Sequence, residues 1–180
     1  MPRSTMPDEI AVVDSGRLLR FTFEDLIAYH GPGSPGGVAH AFKVMQRAWP
    51  LLDPDATPER RAITVHTAFG GPGARDGFEL VTRAVTGDRY VLDPSLARPE
   101  RGRAMERFVF RLECGGAAVT LAVRPGFVED ELIDLVRLER RTPAEDERLE
   151  ALKAAMAERV MAAPAADVYD ATTGQGGIVA

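Results

Sequence analysis

The segment FVFRLECGGAAVTLAV, residues 108–123, decides the fold class. Residues 108–113 and 117–123 are rich in β-branched, aromatic and other apolar side chains, and they flank Cys114-Gly115-Gly116. Glycines between two such runs predict a β-hairpin. A hairpin is antiparallel by construction, so a sheet that contains it is not a doubly wound parallel one. Helical and extended stretches are interspersed along the rest of the chain. The expected class is α+β, a mixed, partly antiparallel sheet backed by helices in a single domain.

Upstream of the hairpin, residues 10–13 and 18–21 predict short strands around Ser15-Gly16. Thr22 and Asp25 form a capping box that opens a helix to about Ala28. HGPGSPGG, residues 30–37, is a loop by its glycine and proline content. Val38, Ala41, Phe42, Met45 and Trp49 then share one face of a helix over residues 37–49. Residues 50–61 read as a polar, proline-broken connection, and AITVH (62–66) as a strand entering a second glycine loop, AFGGPG. A helix follows over about 74–85, with an extended stretch after Gly87. Beyond the hairpin, 127–138 is helical. Thr142-Pro143-Ala144-Glu145 starts a last helix with a stripe of Leu149, Leu152, Met156 and Val160. The core is expected over about 10–163, and residues 164–180, which lack periodicity, as a mobile tail.

Composition narrows the function classes. The 180 residues are 45% hydrophobic and 27% charged, within the globular range. A net charge of −5 argues against nucleic acid or an anionic membrane as partner. No apolar run approaches the roughly 20 residues of a membrane helix, and acids break the apolar stretch near the start, unlike a secretory signal. Cys114 is the only cysteine, which excludes an internal disulfide and any multi-cysteine metal cage. A soluble protein of the reducing cytoplasm is expected.

The two glycine loops carry the candidate chemistry. Gly31, Gly33 and Gly36 satisfy G-x-G-x-x-G. However, a helix rather than a strand precedes the motif, and Pro32 and Pro35 remove amides that would cradle a pyrophosphate. No Gly-Lys-Ser/Thr closes a phosphate loop either. What remains is a helix start that favours an anion or a polarised oxygen, with Ser34, Gly33 and Gly73 as candidate ligand-binding positions. The three histidines are His30, His40 and His66. His30 and His66 border the loops, and three converging imidazoles suit zinc or another transition metal with an open coordination position. Two of them have a plainer reading: His40 falls with Lys43 and Arg47 on a polar helix face, and His66 ends an apolar strand. Asp76 is either a helix-start carboxylate or a partner that orients a histidine or acts as a base. The basic run RPERGRAMER, residues 98–107, is a solvated loop or a grip for an anion or a partner.

With these loops in view, the chain resembles the family of E-type formylmethanofuran dehydrogenase subunits and their bacterial stand-alone relatives over roughly residues 22–163. The family's His-Gly-x-x-Cys-Pro-Gly loop entering a helix is matched by His30-Gly31-Pro32-Gly33-Ser34-Pro35-Gly36. Its strand and Cys-x-x-Asp-Ala segment correspond to AITVH and Gly73-Ala74-Arg75-Asp76-Gly77, and its Gly-Lys turn to Gly102-Arg103-Ala104. The resemblance implies an α+β homodimer with a metal, commonly zinc, at the loop site. Both family cysteines are replaced here, by Ser34 and Gly73, while His30 and Asp76 keep their places.

Two accounts of function follow. In the first, the site is rebuilt as a metal centre: His30 and His66 ligate with His40 as a third candidate, Asp76 orients or acts as base, and a small molecule is bound, in an enzyme or otherwise. In the second, metal is lost and the chain is a non-catalytic binding or accessory protein using the same cleft, or its helices, for a ligand or partner. A redox or one-carbon role follows from the family name alone.

Overall fold

The computed structural model describes residues 9–174 and the backbone of residues 178–179. An antiparallel hairpin comes first, β1 (Glu9–Asp14) and β2 (Arg17–Thr22), turning at Ser15-Gly16. The capping box is complete: the Thr22 hydroxyl accepts from the Asp25 amide, and the Asp25 carboxylate accepts from the Thr22 amide at 2.8 Å. It starts α1 (Phe23–His30), which ends at Gly31, where φ is 87°.

Next comes α2 (Pro35–Leu52), longer at both ends than its periodicity predicts. Pro35 takes the first helical position, where its missing amide costs nothing. Pro50 is tolerated in the last turn, and the Asp53 amide closes the helix on the Trp49 carbonyl at 3.1 Å. The helix packs on α1, α3, α5, β1 and the sheet. It is therefore buried on nearly every side, and the expected polar face is absent: His40 is 0% and Lys43 5% exposed.

A 3-10 turn at Arg60–Ala62 leads to β3 (Thr64–Thr67), then α3 (Pro72–Thr82) and β4 (Tyr90–Leu92). Short 3-10 turns at Pro94–Leu96 and Pro99–Arg101 precede the decisive hairpin, β5 (Val109–Cys114) and β6 (Ala117–Val123). Its two-residue turn uses Gly115 and Gly116 at φ 58° and 83°, the left-handed pair that matches strand twist. Then come α4 (Asp130–Arg137) and α5 (Pro143–Ala162), the latter opened by a second capping box, Thr142 with Glu145.

The chain beyond Ala163 departs from expectation. Residues Ala165–Val168 form a helical turn, α6, and Tyr169–Thr173 form β7, hydrogen-bonded along β6. Ile178–Val179 add β8. Residues 175–177 and 180 of the expected tail lie outside the described residues, as do residues 1–8. The larger sheet runs β4-β3-β5-β6-β7-β8, parallel only between β3 and β4. This is an α+β fold with a mixed sheet.

One face of the sheet packs on α2. Phe110, Leu112, Val119, Leu121, Tyr169 and Ala171 are buried there by strand alternation. His66 pairs with Arg111 in register and shares the other face, because its neighbours Val65 and Thr67 are the buried ones. No helix among the described residues is long and apolar enough to cross a membrane.

Candidate ligand cleft

Small residues bring two helix starts together. A Cβ at Gly73 would overlap the Ser34 carbonyl oxygen and stand 3.0 Å from the Val38 nitrogen. A Cβ at Gly37 would lie 3.0 Å from the Ala74 nitrogen, and one at Gly77 would lie 3.0 Å from the Ala41 Cβ. Glycine at 37, 73 and 77 thus lets the α2 and α3 backbones approach more closely than any side chain allows. Both helices begin with proline, and neither N-cap, Ser34 or Gly71, makes a side-chain capping bond. In each first turn the amides have no partner within their own helix.

These two starts floor a cleft of about 460 Å³, lined there by Ser34, Gly36, Gly37 and Gly73. Its far side is α4 and α5, through Leu132, Ile133, Val136, Leu149 and Met156. An aromatic wall completes it, Phe69 stacked on Phe108 with centroids 4.2 Å apart. Thr67 fixes the turn that delivers Phe69: its hydroxyl donates to the Val109 carbonyl at 2.8 Å and accepts from the Phe69 amide at 3.0 Å. Behind Phe108 lies His40, 4.8 Å between ring centroids.

Every charged side chain lining the cleft is cationic: Arg103, Arg107, Arg137, Arg141 and Lys153. Arg103 grips Asp134 through two hydrogen bonds at 2.8 and 2.9 Å, and Arg137 donates to Glu106 at 2.7 Å. Arg141 donates to Asp146 at 2.7 Å. Lys153 bonds Glu150 at 2.8 Å and the Gly33 carbonyl at 3.1 Å, tying α5 to the first glycine loop. Arg107 is the least engaged, its nearest carboxylate being Glu106 at 4.0 Å.

Of the expected ligand-binding positions, Ser34 and Gly73 line the cleft; Gly33 does not, and contributes only the carbonyl that holds Lys153. The three histidines do not converge. His40 is wholly buried, its Nδ1 is 2.7 Å from the Tyr169 hydroxyl, and burial pushes its pKa down to about 3. His66 faces away from the core on the far side of the sheet. His30 pairs instead with Asp76, Nδ1 to Oδ2 at 2.8 Å, while its Nε2 is buried with no hydrogen-bonding partner among the described residues. The hydroxyl of Tyr90 is also buried without a hydrogen-bonding partner among the described residues. Burial pushes Tyr90 up to about 12, with smaller and opposed effects from Arg75 and Asp76. Neither His30 nor Asp76 lines the cleft.

The donor set does not fit the metal site that the resemblance implies. Position 34 offers a hydroxyl and position 73 nothing, and the packing around Gly73 has no room for a side chain. Among the described residues no three His, Cys, Asp or Glu side chains gather into a possible metal-holding group. Sequence reasoning also missed several residues that form the cleft. Arg137 lies in α4, Arg141 in the link to α5, and Lys153 in α5 beyond its capping box, none within a motif, and Phe69 belongs to a loop read only for its glycines. The basic run over 98–107 was the one available signal, and it does supply Arg103 and Arg107. No protein-family model matches the chain, and neither does any curated protein.

Proposed function

We propose that this chain is a small-molecule-binding protein, a metal-free relative of the E-type formylmethanofuran dehydrogenase subunits, with its ligand seated in the cleft over the α2 and α3 starts. The observation that carries this reading is the cleft itself. At about 460 Å³ it lies within the ordinary range for small-ligand sites, and it combines an apolar wall with a few polar groups. Ser34 and Gly73, the positions that the resemblance aligns with the family's two cysteines, both line it.

The test uses fluorescent probes and elemental analysis on untagged protein. Saturable binding of 1-anilinonaphthalene-8-sulfonate or N-phenyl-1-naphthylamine at one site per chain is expected. Val136, half exposed at the mouth, can be enlarged without burying anything new, and Val136→Trp should abolish binding with the circular dichroism spectrum unchanged. One transition metal per chain, lost on His30→Ala, would instead favour a metal centre, which the unpartnered Nε2 of His30 gives a single starting ligand.

A further inference from the structure

We infer that the cleft selects organic oxyanions: ligands with one anionic head (carboxylate, sulfonate or phosphate monoester) and an apolar body. This rests on the reading above that the cleft is a ligand site.

Three features set the sign of the charge. All five charged side chains lining the cleft are cationic and none is acidic. Their carboxylate partners, Asp130, Asp134, Glu106, Asp146 and Glu150, do not line it, so the charged residues of the lining are of one sign. Arg107 brings the least committed cation. Among the described residues its guanidinium has only the 4.0 Å contact with Glu106, whose carboxylate is already bonded to Arg137. Finally, the uncapped starts of α2 (18 residues) and α3 (11 residues) meet at the floor, where the positive ends of both helix dipoles add.

The body of the ligand is set by the walls. Phe69 and Phe108 present a stacked aromatic pair, and α4 presents Leu132, Ile133 and Val136 opposite. A bare inorganic anion leaves these walls wet, and a neutral hydrocarbon leaves Arg107, whose nearest carboxylate among the described residues is 4.0 Å away, and the two helix starts without a negative partner. Neither loss arises for an anion with an aromatic or branched apolar body. The head belongs between the helix starts and Arg103 and Arg107, the tail against Phe108 and α4.

The two probes named above share one hydrocarbon body and differ in the sulfonate, so they separate the two levels of the argument. The sulfonated probe is expected to bind at least about tenfold more tightly than the neutral one, a difference near 1.4 kcal/mol. Its affinity should fall with added salt. Arg107→Gln should weaken the sulfonated probe several-fold and leave the neutral one unchanged. Displacement of the bound sulfonate by 2-naphthoate or 2-naphthyl phosphate, but not by 2-naphthol, extends the result to ligands without the dye. Equal affinity for the two probes, or a sulfonate affinity indifferent to both salt and Arg107→Gln, overturns anion selection while the cleft survives as a binding site. Failure of both probes to bind overturns the cleft itself.

Discussion

His40 Nδ1 and the Tyr169 hydroxyl lie 2.7 Å apart inside the core and join positions 129 residues apart in the chain. Both side chains are fully buried. The pair pins α2 to β7 and stands directly behind Phe108, the inner wall of the cleft. Tyr169→Phe keeps the ring and removes the hydroxyl, so one buried imidazole nitrogen loses its partner. The expected cost is about 1–3 kcal/mol, read as a lower urea midpoint with an unchanged slope. A variant as stable as the parent would show that the hydrogen bond contributes nothing net.

The same histidine makes stability depend on pH. In the folded protein burial holds it down to about 3, against 6.5 for an unperturbed imidazole. Between these values the unfolded chain binds a proton that the folded one does not. The contribution is therefore fully present above pH 6.5 and is lost as pH falls toward 3, by up to about 1.4 kcal/mol per pH unit. Urea midpoints should drop from pH 7.5 to pH 5, and the ring carbon resonances of His40 should stay those of a neutral imidazole at pH 5. Titration of His40 near 6.5 in the folded state would remove the basis for this expectation.

The glycine contacts predict a graded series. Gly73→Cys restores the residue type of the resembling family, yet its Cβ overlaps backbone at Ser34, and backbone has little room to yield. A loss of about 3 kcal/mol or more is expected, with no gain in zinc binding. Gly36→Ala meets only the flexible end of Met156 and a carbonyl at 3.4 Å, so its cost should be smaller. Gly33→Ala meets nothing within 4 Å at an exposed position and should be neutral or stabilising by about 0.4–1 kcal/mol. Thermal denaturation of the three variants would rank them; Gly73→Cys that folds normally and takes up zinc would reverse the argument about the donor set.

The pattern of success in reading the sequence has a physical basis. Elements specified by local chemistry were legible: the Gly115-Gly116 hairpin, the Thr22–Asp25 and Thr142–Glu145 capping boxes, and the stripe of α5. Elements specified by their surroundings were not. The wheel of α2 places His40 and Lys43 outward only if one side of the helix meets water, and packing from α5 and the sheet removes that side. Strand β7 has five residues, with Tyr169 and Ala171 inward and Asp170 exposed, too short a pattern to register against the polar chain around it. The cleft drew on positions 34, 73, 103, 107, 137 and 153, which only the tertiary fold assembles; the glycine loops marked its floor and said nothing of its walls.

The His30–Asp76 pair offers the sharpest separation between a binding cleft and a catalytic or metal centre. The His30 side chain is 8% exposed, and Asp76 is the only partner of its Nδ1 among the described residues. Asp76→Ala leaves that nitrogen unpaired in a ring whose other nitrogen already has no partner. A loss of about 1–3 kcal/mol of stability follows. Asp76→Asn keeps a carbonyl oxygen that can accept from Nδ1, and should cost less. Because neither residue lines the cleft, Asp76→Asn should leave the affinity of the sulfonated probe within about twofold of the parent, about 0.4 kcal/mol. A large loss of probe binding in a variant that remains folded would place the pair in the ligand site, and with it the role as base or orienting partner that the sequence suggested for Asp76.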